Sequence, residues 1–121
     1  MKFKRQEAFR YQFGQPLPCT FRLVHDDEKY IEIEEKNAHI HDISPRGMKL
    51  ETPARIPCER GQEIEIIFTL NDVEFCFLGK IVWERPFARM HYYGVRLLIS
   101  NEQGEKLINE IKRHAALHRK R

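Results

Sequence analysis

From Cys19 to Ile99 apolar side chains keep returning at every second position, and that period commits most of the chain to strands. Cys19, Phe21 and Leu23 alternate with Thr20, Arg22 and Val24, and Ile31 and Ile33 alternate within 30–34. A further strand is predicted at about 38–43, and Met48 and Leu50 resume the pattern. Ile64, Ile66, Phe68 and Leu70 form the cleanest stretch. Val73, Phe75, Phe77, Gly79, Ile81 and Trp83 form the longest, and His91, Tyr93, Val95, Leu97 and Ile99 line one face of 90–99. Turn chemistry separates these runs. It lies at 25–28, at Ser44-Pro45-Arg46-Gly47, in the loop marked by Pro53, Pro57 and Gly61, and at Arg85-Pro86. Asn71-Asp72 fits a two-residue hairpin although it lacks the preferred glycine. Gly79 in mid-strand predicts the bend or bulge that a closed barrel needs. Short antiparallel strands joined this tightly point to a small barrel, which leaves few open edges.

The period changes after Ile99. Ser100 is a helix N-cap and Gln103 completes a capping box. Leu107, Ile108, Ile111 and Ala115 follow helical spacing, with Leu117 off that stripe, so a helix is expected over about 101–118. His114 and His118 fall near its C-terminus, where the helix dipole favours positive charge. Residues 1–16 show no period and are read as a flexible arm anchored by Phe3, Phe9, Tyr11 and Phe13. Residues 17–121 then form the barrel with its helix.

A chain of 121 residues with 41% hydrophobic content is expected to make one domain with a core of its own. No apolar run approaches the ~20 residues of a membrane helix, and no apolar stretch follows the charged start, so neither membrane insertion nor secretion is expected. A net charge of +3 is too mild for sequence-independent nucleic-acid binding. Its distribution is uneven, because Lys2, Lys4, Arg5 and Arg10 face only Glu7 at the start, and the end is basic too. Cys19, Cys58 and Cys76 form neither a CxxC pair nor an even set, so free buried thiols and a reducing, cytoplasmic setting are expected. No nucleophile stands beside a base. His39 and His41 share a strand face, and His114 and His118 a helix face, but neither pair has a third ligand. The expectation is a binding protein, not an enzyme, without metal or cofactor.

The sharpest local signal is Asp42-Ile43-Ser44-Pro45-Arg46-Gly47. Short Asp and Ser oxygens fix a turn, and Gly47 supplies a positive φ or a close backbone approach. This stretch fits the [DN]-x-S-x-x-G motif of PilZ domains, which the chain resembles from about residue 4 to 118. Arg5-Gln6-Glu7-Ala8-Phe9-Arg10 stands where that family carries R-x-x-x-R, and Tyr93-Gly94-Val95-Arg96 resembles its glycine-containing last strand. The resemblance implies a six-stranded antiparallel β-barrel, its C-terminal α-helix over one end, that receives cyclic dimeric GMP. It implies that Arg5 and Arg10 take phosphate and guanine, Asp42 the guanine edge and Ser44 a supporting bond. Gly47 would hold the turn, with Arg46 an added contact.

The chain departs from the motif at Gln6, where R-x-x-x-R requires arginine. Gln6 can bond a base edge but cannot neutralise a phosphate. With no room for an output domain, the signal would pass in trans to an effector protein. The alternative is a PilZ-like module that has lost the nucleotide and works through protein contacts. A small RNA-binding barrel is a third reading, resting on Arg85, Arg89, Tyr92 and Tyr93.

Overall fold

The structure is a computed structural model and describes residues 10–25, 30–57 and 61–118. Its strands are β1 (Tyr11–His25), β2 (Tyr30–Ile31), β3 (Lys36–Ile43), β4 (Gly47–Thr52), β5 (Glu63–Leu70), β6 (Val73–Phe87) and β7 (Met90–Leu97). The helix, α1, covers Asn101–Leu117. All pairings are antiparallel. Hydrogen bonds run β1-β3-β4-β7-β6-β5 and return from β5 to β1, which closes a six-stranded barrel. β2 adds two residues to the edge of β1.

The alternation closes the barrel. Phe21, Ile40, Leu50, Ile64, Ile66 and Tyr93 point inward and are fully buried. Asn71 and Asp72 both take positive φ, 53° and 67°, the handedness that a two-residue hairpin turn demands. The start of β1, the β3–β4 turn and the β5–β6 turn all lie at one end, and α1 lies across it. Asn71 Nδ2 donates to the Glu110 carbonyl at 2.9 Å, and Tyr11 and Phe13 pack edge-on against His114. Leu107 and Ile111 of α1 are buried, each worth about 1.5–3 kcal/mol relative to exposure. Leu117 is exposed, as its place off the stripe predicts.

Several local expectations change. Residues 11–16, read as part of the arm, belong to β1, and Phe13 is a core residue. Their period is hidden because β1 shifts register against β3 between Gln12 and Leu17. The strand expected at 30–34 keeps only Tyr30–Ile31, and Ile33 is exposed. β6 does not stop at Arg85-Pro86. Pro86 pairs with His91 on one side only, beyond the end of β5, so its missing N–H breaks no ladder. The bulge assigned to Gly79 sits instead between Ile81 and Trp83.

Cys76 is exposed, because it alternates outward between the inward Phe75 and Phe77. Its thiol is pushed up to about 11 by desolvation and by Glu65, whose carboxylate accepts from Sγ at 3.3 Å. Cys19 is buried as expected, and burial raises its thiol to about 12. Cys58 lies outside the described residues. His114 is held below its ordinary value, first by burial against β1 and then by the charge of His118, so it packs rather than completing a positive helix end.

The capping box forms as predicted: Ser100 Oγ accepts from the Gln103 amide at 3.1 Å, and Gln103 Oε1 accepts from the Ser100 amide at 2.9 Å. Ser100→Ala should cost about 1 kcal/mol and lower Tm by roughly 3–6 °C in a thermal melt followed by circular dichroism. An unchanged Tm would mean that packing of Leu107 and Ile111 alone fixes the helix start.

Candidate functional site

The β3–β4 turn is built from its own side chains. The Ser44 and Gly47 backbones bond each other in both directions, at 2.8 and 3.3 Å. Ser44 is only 4% exposed. Its Oγ accepts from the amides of Arg46 at 3.1 Å and Gly47 at 3.2 Å, so this hydroxyl fixes the turn. Gly47 does not take a positive φ. It is required by close approach, since a Cβ there would sit 2.6 Å from the Val95 carbonyl oxygen of β7. The Arg46 carbonyl accepts from the Leu97 amide at 2.9 Å, which ties the turn to the end of β7.

Asp42, the last residue but one of β3, stands beside this turn, opposite Gln12 of β1 and Lys49 of β4. Its side chain is 16% exposed, and Oδ1 accepts from Arg10 Nε at 3.0 Å. Arg10 immediately precedes β1, whose start is held by Tyr11 and Phe13 against the helix. The structure therefore brings together four of the residues singled out in the sequence, Arg10, Asp42, Arg46 and Gly47, around an open hollow of about 430 Å³. Ser44 supports it from below the surface. Arg5 and Gln6 lie outside the described residues.

Sequence reasoning missed part of the lining. Lys49, Trp83, Gly94 and Arg96 also border the hollow. Trp83 was placed on the inward stripe of β6, but the extra residue between Ile81 and Trp83 reverses the parity, and Trp83 faces outward opposite Gly94. Its indole occupies the space that a Cβ on Gly94 would need, 2.0 Å from Nε1, and remains 42% exposed. Arg85 lies over the same ring at 5.7 Å. A lone tryptophan paired with a glycine across two strands was the available signal, but it requires the register to be known.

Arg10, Arg46, Lys49 and Arg96 around one carboxylate, with the Trp83 indole, give the hollow groups that can meet an anion and an aromatic ring. Other candidates separate from it. Tyr93 is fully buried, with its hydroxyl accepting from the Ile56 amide at 2.8 Å, so it cannot serve an RNA surface. His41 is paired with Glu51 at 2.5 Å and His39 is exposed. Among the described residues no group of three or more His, Cys, Asp or Glu is placed to hold a metal. No described helix is long and apolar enough to cross a membrane.

Residues 3–113 match the PilZ domain family. Among solved structures, the chain resembles the PilZ domain of YcgR from Escherichia coli with c-di-GMP, at 18% identity and TM-score 0.60, covering 88% of this chain and 91% of that one. It also resembles the PilZ domain of CeSA from a cellulose-synthesizing bacterium, at 14% identity and TM-score 0.55, covering 93% and 100%. The Bacillus subtilis inhibitor of motility MotI/DgrA matches at 14% identity and TM-score 0.54, over 92% of this chain and 55% of that protein. No curated protein matches the sequence.

Proposed function

The chain belongs to the PilZ domain family, and on that premise we propose that it receives cyclic dimeric GMP at the β3–β4 turn and passes the bound state to an effector protein in trans. The observation that carries this reading is the Arg10–Asp42 ion pair standing over a hollow rimmed by further cations and an exposed indole. The ligand of the YcgR structure has two phosphate charges and two guanines, and the hollow offers chemistry for both. Arg10 is held through Nε, which leaves the two terminal amino groups of its guanidinium as donors for a phosphate. Asp42 accepts from a guanine edge, and Trp83 offers a face for stacking. Arg46 adds charge, while Ser44 and Gly47 keep the turn in shape. Arg5 would share the phosphate and guanine contacts, and Gln6 could bond a base edge.

On this reading the protein is an adaptor, not an enzyme, and no metal or cofactor takes part. It works in the cytoplasm, in keeping with the free thiols of Cys19 and Cys76. Calorimetric titration with cyclic dimeric GMP, with GMP as control, tests it directly. Trp83 is the chain's sole tryptophan, so its fluorescence should be quenched on binding. Trp83→Ala should weaken affinity roughly fivefold to hundredfold, the range for one stacked base. Unchanged fluorescence at saturation would remove Trp83 from the site.

Gln6 favours a second reading, in which the module has lost the nucleotide and acts through protein contacts alone. One substitution separates the two. If Arg5 already takes the phosphate, Gln6→Arg gains little and Arg5→Ala loses about tenfold to hundredfold. If the parent fails to bind and Gln6→Arg restores binding, the arm is degenerate and the second reading holds. Binding by neither, in folded protein, ends the receptor reading.

A further inference from the structure

A second hollow, about 800 Å³, opens on the other side of the β3–β4 turn, between that turn, the end of β7 and the first three turns of α1. Ile99 and Ile108 give it apolar lining, and Arg46, Arg96 and Lys112 outnumber the single acid Glu105. Pro45 packs near Gly104 at its inner edge, where a helical Cβ would meet the proline ring at 3.4 Å. The cleft is therefore a preformed, cationic slot with an apolar element. Arg46 and Arg96 border both this cleft and the ligand hollow. They are joined through the turn, because Gly47 pairs with Arg96 and the Arg46 carbonyl holds the Leu97 amide.

We infer that this cleft docks an acidic, partly apolar segment of a partner protein, and that nucleotide and partner draw on the same two arginines. Charge complementarity selects the occupant. Carboxylates on the segment meet Arg46, Arg96 and Lys112, and an aliphatic side chain covers Ile99 and Ile108. A nucleotide phosphate in the neighbouring hollow pulls Arg46 and Arg96 toward itself and weakens the slot. By linkage the partner weakens nucleotide binding by the same factor. The docking claim stands without the nucleotide, whereas the coupling rests on the receptor reading above.

The test uses the full chain and a short fluorescein-labelled peptide of glutamate and serine with two leucines, followed by anisotropy. The matching lysine peptide and an oligouridylate serve as comparison probes. The acidic peptide should bind and the lysine peptide should not. Asn101→Glu with Lys112→Glu, at exposed helix positions away from the ligand hollow, should weaken the acidic peptide about tenfold. Glu105→Lys should tighten it by about threefold. Docking is overturned if the acidic peptide fails to bind, if these substitutions leave its affinity unchanged, or if the oligouridylate binds while the peptide does not. Saturating cyclic dimeric GMP should then lower peptide affinity several-fold. An unchanged or raised affinity, with nucleotide binding confirmed by calorimetry, overturns the coupling. If calorimetry shows no nucleotide binding, the receptor reading and the coupling fall together, and the peptide result still decides docking.

Discussion

Asp42→Ala should abolish recognition of cyclic dimeric GMP, with a loss of at least about hundredfold, and leave the barrel folded. Two effects add. The carboxylate proposed to accept from the guanine edge is gone, and a charge-assisted contact of that kind is worth about 1.5–3 kcal/mol. The carboxylate that holds Arg10 Nε at 3.0 Å is the same group, so the phosphate ligand loses its fixed position as well. The stability cost should be small, because Arg10 is 49% exposed and a screened ion pair of this kind contributes about 0–1 kcal/mol. Calorimetry and a thermal melt on one preparation check both halves. A double-mutant cycle with Arg10→Ala should show the two losses to be non-additive. A variant that binds as tightly as the parent would reduce Asp42 to a turn residue.

Gly47→Ala should be the most damaging single methyl in the chain's turn. The new Cβ would lie 2.6 Å from the Val95 carbonyl oxygen, and the obstacle is backbone. No rotamer change relieves it, so β4 must move away from β7 across the pairing of Gly47 with Arg96 and Met48 with Val95. A cost of about 2–4 kcal/mol is expected, seen as a Tm loss of roughly 8–20 °C. Nucleotide binding should fall with it, because the turn carries Arg46 and the register of Asp42. Gly14→Ala is the control, since nothing approaches within 4 Å of a Cβ at that position, and its Tm should match the parent's. A Gly47→Ala variant as stable as the control would mean that the two strands separate at little cost.

Much of this architecture was legible locally. The alternating runs identify the barrel walls, since a period of two is a property of each strand alone. Asn71-Asp72 reads as a hairpin because asparagine and aspartate tolerate positive φ. The α1 start reads from Ser100 and Gln103 because a capping box is closed within four residues. The 42–47 turn is legible for the same reason, with Ser44 bonding amides two and three residues away.

What only the tertiary structure decided depends on register between distant strands. One extra residue after Ile81 turns Trp83 from the core to the hollow beside Asp42, and a register shift against β3 hides Phe13 and the true start of β1. Gly47 reads in the sequence as a glycine of positive φ or of close approach, and only the fold decides for close approach, because the atom that excludes a side chain belongs to Val95, far along the chain. The sequence by itself determined the alternation of most strands and, because their hydrogen bonds close over a few residues, the helix start and the 42–47 turn, but not the bounds of β1, β2 and β6. The faces those strands present, and hence which cations gather around Asp42, follow from pairings across the barrel, which no local pattern encodes.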